Sequence, residues 1–350
     1  MVKIGGFGNP LLDISVKLNT NDLLNKYNLL EDEQSEFDSQ KMKSLLNDIK
    51  KYDVTYSPGG SAQNTLRLLQ WLMNSESSTF MFGGIGKDEQ GKNLKNLVEI
   101  SGVKTNYSLF EGKPTGTSVV LIKGSNRSLV AYIGAAESVR IKDLKINETE
   151  SILETMDAIY MEAFFVTKRN DVAKYVQEFC EEKNKIFAFS LSAPYIIREN
   201  AEVIIHLART CDILFGNKRE FAALKDVMKF EGTFQDLTRH LLKTYNKKAK
   251  NKYGKIVVAT NGSKWVVCGH SNDVLEKAFV PKIDDTKIID TNGAGDAFSA
   301  GFLAGIFTNK EPRESMKIGF WTAAQIIQNV GCSLPQFPIT LDDILNTETT

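Results

Sequence analysis

Lys287-Ile288-Ile289-Asp290-Thr291-Asn292-Gly293-Ala294-Gly295-Asp296-Ala297-Phe298 is the stretch on which the fold and chemistry of this 350-residue chain turn. Ile288-Ile289 reads as the end of a strand. Gly293-Ala294-Gly295 follows, and Ala297, Phe298, Ala300, Phe302, Leu303 and Ala304 then mark an apolar helix. Small residues let backbone approach an anion closely. The first amides of a helix lack partners within it, and with the helix dipole they form a cradle for phosphate. Asp296 falls in the first turn. It either caps the helix, as aspartates commonly do, or takes a proton from an attacking hydroxyl while the amides steady the transferred phosphoryl group. There is no GxxxxGK[ST] segment, so the cradle is not a P-loop.

Upstream, short apolar segments alternate with amphipathic helices. Strands are expected over Ile159–Met161, Ile186–Leu191, Ile213–Phe215 and Ile256–Ala259. Helices are expected over Asp171–Glu182, Glu199–Arg209 and Phe234–Thr244, the first with Val172, Val176 and Phe179 at helical spacing. Repeated strand-then-helix order implies an α/β fold with a mostly parallel sheet covered on both faces. Ligands bind such sheets at the carboxyl ends of the strands. Two segments depart from the alternation. Val16–Ser57 is rich in charge and Asn. Thr115–Ile133 reads as a hairpin, Thr117–Ile122 and Ser128–Ile133 around Gly124-Ser125-Asn126. These strands are expected to form a small lid sheet. Leu66, Leu69 and Met73 read as the buried face of a helix.

Composition narrows the function. Lys+Arg and Asp+Glu both number 43, so there is no basic excess of the kind nucleic-acid binders carry. Cys180, Cys211, Cys268 and Cys332 form no CxxC pair, and His206, His240 and His270 show no metal-ligand spacing. The apolar part of the N-terminus is too short for a signal peptide core, and no run approaches the ~18 apolar residues of a membrane span. A reduced, cytoplasmic protein is expected, binding neither nucleic acid nor membrane. The basic run Lys247–Lys252 reads as a solvated loop or, alternatively, a nuclear-import signal.

Asp290–Phe298 closely resembles the C-terminal signature of the ribokinase-like (PfkB) kinases. Asn292 after Thr291 is similar to the variant in the branch that phosphorylates adenosine. Gly83-Gly84-Ile85-Gly86-Lys87-Asp88-Glu89-Gln90-Gly91 resembles the family's other signature. Gly8-Asn9-Pro10-Leu11-Leu12-Asp13-Ile14 and Gly59-Gly60-Ser61-Ala62-Gln63-Asn64 resemble nucleoside-binding segments of that branch. The likeness runs from about Gly5 to Pro338. It implies a ribokinase-like fold, with a large domain of residues 1–15, 66–112 and 137–345 and a β-rich lid of residues 16–65 and 113–136. It implies transfer of the γ-phosphate of ATP to the 5′-hydroxyl of adenosine to give AMP.

The resemblance also implies roles. Asp296 is the base, the amides of Gly293, Ala294 and Gly295 form the anion hole, and Arg127 closes with the lid onto the phosphates. Asp13 accepts two ribose hydroxyls with its two oxygens. Asn9 and Asn64 add hydrogen bonds, Gly59 and Gly60 let backbone come close, and Ser61 and Asn292 also touch substrate. Phe165 stacks on the purine, although core packing is the common fate of a Phe. Leu11, Gln34, Leu129, Ala131 and Tyr195 complete the base pocket, Tyr195 standing where the family usually has Phe. Asn217 and Glu220 match an Asn-x-x-Glu motif that holds Mg²⁺ through waters, or else simply cap a helix. Thr260 and Gly262, with Asn217, face ATP. Asp290 and Thr291 border a monovalent cation such as K⁺. A monomer is expected. The rivals are a sugar or inosine–guanosine kinase of the same fold, and a nucleoside-binding regulator without turnover.

Overall fold

Alternation of apolar segments with helices builds the larger of two sheets. The structure, a computed structural model, describes residues 2–30, 34–74, 78–123, 126–245, 250–271 and 273–347, with only the backbone of Gln34, Asn126 and Arg127. The strands of the larger sheet lie in the order Val274–Phe279, Trp265–His270, Ile256–Thr260, Ile213–Asn217, Ile186–Ser190, Ala158–Glu162, Ile4–Phe7, Thr79–Gly86, Lys104–Phe110. From Ile256–Thr260 to Lys104–Phe110 all pairings are parallel, and the first two strands add on antiparallel. A strand buried on both faces reads as a continuous apolar run. Along one such strand Ile159 and Met161 enter one core while Ala158 and Tyr160 enter the other.

The strands expected over Ile159–Met161, Ile186–Leu191, Ile213–Phe215 and Ile256–Ala259 are present, within a residue or two at each end. The helix expected from Glu199 starts at Ala201, because Asn200 leaves helical geometry and separates it from a short helix over Pro194–Glu199. No strand passes through Ile288-Ile289. A 3₁₀ turn covers Asp285–Lys287, and the amides of Ile289 and Asp290 donate to the Ile327 carbonyl beyond the helix Pro312–Ile326. A helix end, not a neighbouring strand, meets the hydrogen-bonding need of this apolar pair.

The smaller sheet runs Gln34–Glu36, Asn126–Tyr132, Thr117–Lys123, Leu11–Lys17, Val54–Gly59. The expected hairpin is there, Thr117 opposite Tyr132 and Val119 opposite Val130. Side chains of a strand alternate between faces. Ile14, Val16, Val119, Leu121 and Val130 face a core shared with the helices Asp22–Tyr27 and Ser39–Asp48. The alternate residues Leu11, Asp13, Ser118, Leu129 and Ala131 face the other way, toward a cavity. The boundaries expected after residues 15 and 65 fall inside the strand Leu11–Lys17 and the helix Ser61–Met73. The strand belongs wholly to the smaller sheet, and the helix packs its buried Leu66, Leu68 and Leu69 into a core of the larger one.

Among the described residues four crossovers join the sheets, at residues 8–10, at Gly60, at 111–116 and at 133–134. The helix Ala294–Phe307 buries nearly its whole length against Ser61–Met73 and Pro312–Ile326. Close approach requires glycine there. A Cβ on Gly301 would come within 2.8 Å of the Gly319 Cα, and one on Gly305 within 2.4 Å of the Ser315 Oγ. The start of this helix, carrying Asp296, is thereby fixed to the body of the larger sheet.

Candidate active site

A cavity of about 370 Å³ opens between the inner face of the smaller sheet and the carboxyl ends of the parallel strands. Leu11, Asp13, Ser118, Leu129 and Ala131 form its roof. Asp13, Ser118 and Ala131 lie in one row across three strands, so the sheet register itself aligns them. Ser190 and Ser192, Phe215, Gly216 and Asn217, and Thr260 come from the ends or exits of three consecutive strands of the larger sheet. Asn292, Gly293, Gly295 and Asp296 close the floor from the start of the helix Ala294–Phe307.

Asp296 is held on both oxygens. Ser61 Oγ donates to Oδ1 at 2.6 Å and Asn64 Nδ2 to Oδ2 at 3.2 Å. Ser61 and Asn64 share the first turn of Ser61–Met73, one helical turn apart. Burial pushes the Asp296 carboxyl up to about 6, and the two donors pull it back only in part. Its side chain caps nothing. Gly293 begins the helix with φ +77°, a conformation that favours glycine. A Cβ on Gly295 would meet nothing within 4 Å, so this part of the helix start faces open space. The Ala294 amide instead donates to the Thr291 carbonyl at 3.3 Å, closing the turn rather than facing the cavity.

Gly59 makes room for Asp13, since a Cβ there would lie 2.0 Å from the Asp13 Oδ1. Gly60, at φ +93°, lets Ser61–Met73 start directly beneath Asn9. At the next strand end Asn217 and Glu220 cap the helix Lys218–Val227 reciprocally. Asn217 Oδ1 accepts from the amides of Arg219 and Glu220, and Glu220 Oε2 accepts from the Asn217 amide at 2.8 Å. Both still line the cavity. Burial raises the Glu220 carboxyl to about 7, partly offset by the Asn217 amide. Among the described residues no group of three His, Cys, Asp or Glu side chains is placed to hold a metal ion.

Several expected residues sit elsewhere. Phe165 is fully buried in the core, edge-on to Phe7 with a centroid distance of 5.6 Å. Of this pair, the ring that lines the cavity is Phe164. The 3₁₀ turn Ala163–Phe165 points neighbouring side chains in different directions, so a one-residue step decides which Phe is inside. Asn9 is buried, its side chain spent on Phe164 O and Arg169 rather than turned toward a sugar. Tyr195 is more than half exposed, its ring 6.4 Å from that of Phe164 at the margin of the cavity. A Cβ on Gly262 would meet nothing within 4 Å; it turns the loop after Thr260 at φ +54°. The side chains of Gln34 and Arg127 lie outside the described residues, as does much of Lys247–Lys252. Ser118, Phe164, Ser190, Ser192, Phe215, Gly216, Phe298 and Ser299 line the cavity unforeseen. The strand-end position of Ser190, Phe215 and Gly216 was the available signal.

A buried acid at a helix start that opens onto the cavity, roofed by a second sheet, has the layout of a phosphotransferase for a small hydroxyl-bearing molecule. Residues 36–339 match the family described as pfkB family carbohydrate kinase, and the chain belongs to that family. It is 31% identical over 334 residues to adenosine kinase 2 of Arabidopsis thaliana, covering 95% of this chain and 96% of that protein. It is 31% identical to the adenosine kinase of Dictyostelium discoideum, with 95% and 97% covered. Its structure is similar to that of Anopheles gambiae adenosine kinase in complex with P1,P4-di(adenosine-5) tetraphosphate, with a TM-score of 0.83 at 31% identity, covering 95% and 98%. It is similar also to Schistosoma mansoni adenosine kinase in complex with adenosine and AMP, with a TM-score of 0.82 at 29% identity, covering 96% and 99%.

Proposed function

We propose that this protein transfers the γ-phosphoryl group of ATP to the 5′-hydroxyl of adenosine, with Asp296 as the base. The observation that carries this is the placement of Asp296 at the cavity floor, held by Ser61 and Asn64 beside the helix start. A carboxyl near 6 is mostly ionised at neutral pH and basic enough to draw a proton from an attacking hydroxyl. The open amides by Gly295 stabilise charge on the transferred group. Two cavity-lining residues carry buried polar atoms without a partner, Asn64 Oδ1 and Ser118 Oγ. Unmet buried polar atoms at a cleft suit a ligand rich in hydroxyls. Asp13 accepts ribose hydroxyls from the roof, and Phe164, with Leu11, Leu129 and Ala131, forms an apolar wall for the purine. Closing the smaller sheet over the cavity excludes water, the competing acceptor.

Mg²⁺ entering with ATP neutralises phosphate charge. Asn217 and Glu220 are hard oxygen donors that would hold it through its waters, because their oxygens already accept amide hydrogens. At Asp290 both oxygens likewise accept amides, from Asn292 at 2.9 Å and Gly331 at 2.8 Å. The carboxylate there ties two loops. The protein is expected to act as a cytoplasmic monomer. No helix among the described residues is long and apolar enough to cross a membrane.

The test is phosphate transfer from Mg·ATP to adenosine, inosine, guanosine, ribose and fructose. AMP from adenosine at a kcat/KM well above the others is the expected result. Preference for a sugar removes the purine assignment of the Phe164 wall, and turnover of none removes the kinase assignment.

A further inference from the structure

We propose that Arg169 is a positioning residue for the phosphoryl transfer, fastening two of the four crossovers between the sheets to the turn that presents Phe164. This rests on the assignment of the cleft to adenosine.

Arg169 stands immediately before the helix Asn170–Glu182 and is only 1% exposed. Its guanidinium reaches three separate segments. Nε donates to the Phe165 carbonyl at 2.8 Å, Nη2 to Asn9 Oδ1 at 2.6 Å, and Nη1 to the Ala136 carbonyl. Its Cζ lies over the Phe165 ring, 4.3 Å from the ring centre. Asn9 lies on the first crossover into the smaller sheet. Ala136 lies just past the last crossover out of it, in the 3₁₀ segment Gly134–Ser138.

Asn9 passes the restraint on. Its Nδ2 donates to the Phe164 carbonyl at 3.2 Å, and its amide donates to Glu162 Oε1 at 3.4 Å. Glu162 Oε2 accepts from the Phe164 amide at 2.7 Å. Phe164 is therefore gripped on its amide by Glu162 and on its carbonyl by Asn9. The second crossover touches the same point, because a Cβ on Gly60 would lie 2.2 Å from the Asn9 carbonyl oxygen.

A buried guanidinium is costly to desolvate. Here its donors go to three carbonyls, of Phe164, Phe165 and Ala136, and an amide oxygen, with the buried Glu162 as the nearby opposite charge. A planar fork of fixed geometry serves such a junction, whereas a single flexible ammonium does not. The ring that faces the purine and the strands that roof it are thus seated by one side chain which touches neither substrate nor reacting atoms.

The experiment compares the full chain with Arg169→Lys, Arg169→Met, Asn9→Ala and the Arg169→Met/Asn9→Ala double variant. It reads kcat, KM for adenosine and for ATP, adenosine Kd by calorimetry, and Tm. In both Arg169 variants KM and Kd for adenosine are expected to rise about 10-fold to 100-fold, the scale of a small misplacement of binding groups. KM for ATP is expected to stay within about two-fold, since uniform loss of activity is not the effect sought. Lys is expected not to rescue. Asn9→Ala is expected to add little on top of Arg169→Met, because the two act as one unit. A lower Tm with adenosine KM and Kd at wild-type values overturns the proposal, as do equal rises in both KM values or additive effects. If Arg169→Met fails to fold, Arg169→Lys decides by the same readings. A wild-type chain that binds no adenosine overturns the underlying assignment, and the proposal with it. A wild type that binds, with unmoved variants, overturns the proposal alone.

Discussion

Removing the Ser61 hydroxyl should move the acidic limb of the pH–rate profile upward. Ser61 Oγ donates to Asp296 Oδ1 at 2.6 Å and so favours the ionised carboxyl, whose pKa burial has already lifted to about 6. A hydrogen bond to a charged group is worth about 1.5–3 kcal/mol. Water entering from the cavity replaces part of it. A net loss of about 1.4 kcal/mol corresponds to one pKa unit. The sign follows: losing a donor to the charged form raises the pKa, so in Ser61→Ala the limb moves from about 6 toward about 7. At pH 6 the ionised fraction then falls from about one half to about one tenth, a loss of about five-fold in kcat/KM, whereas at pH 8.5 the two proteins match. The assay is AMP formation at sub-saturating adenosine from pH 5 to pH 9. A limb that stays in place, or moves to lower pH, refutes Asp296 as the titrating base or Ser61 as its partner.

Replacing the base itself, Asp296→Asn, should lower kcat about 10²- to 10⁴-fold in steady-state assays. The same variant should melt higher at pH 8. An acid whose folded pKa is raised adds stability below its unfolded value near 4 and loses it as pH rises through about 6, an upper limit of about 3 kcal/mol. Equal melting temperatures at pH 8 would argue against a buried ionised Asp296. Phe164→Ala should raise the adenosine KM about ten-fold with little change in Tm, while Phe165→Ala should cost about 3–5 kcal/mol of stability in urea unfolding; the opposite pattern would return the stacking role to Phe165. Gly60→Ala should destabilise by more than about 1 kcal/mol in the same unfolding assay, because φ is +93° and the new Cβ meets the Asn9 carbonyl oxygen. Gly295→Ala, whose Cβ meets nothing, should keep its Tm and lose turnover.

The parallel sheet was legible because buried strands are continuous apolar runs between polar ends, as at Ile159–Met161 and Ile256–Ala259. The helix from Ala294 and the place of Asp296 were legible from Gly293-Ala294-Gly295 and the apolar run behind it. The pair Ile288-Ile289 misled, since β-branched residues suit a strand but do not supply a strand to pair with. Phe164 and Phe165 could not be told apart, because a 3₁₀ turn obeys neither the strand nor the helix period. Asn9 and Asn64 both read as sugar ligands. The Asn9 side chain is consumed by Arg169 and the Phe164 carbonyl, while Asn64 gives its Nδ2 to Asp296 and keeps its Oδ1 unmet in the cleft, long-range partnerships that no local pattern encodes. Arg169 itself carried no signal, for a charged residue before a helix is ordinarily solvated.

The strand Ile4–Phe7 lies inside the larger sheet, third from one edge, between Thr79–Gly86 and Ala158–Glu162. The ribosome makes it before Thr79–Gly86, and its second neighbour, Ala158–Glu162, only after every described strand of the smaller sheet, which ends with Asn126–Tyr132. The guest is complete while its host has only three strands. Through that interval one edge of an apolar strand waits unpaired, the kind of edge at which misjoining with another chain begins. Vectorial synthesis therefore places a hazard of misassembly in Ile4-Gly5-Gly6-Phe7 until Ala158–Glu162 has been made.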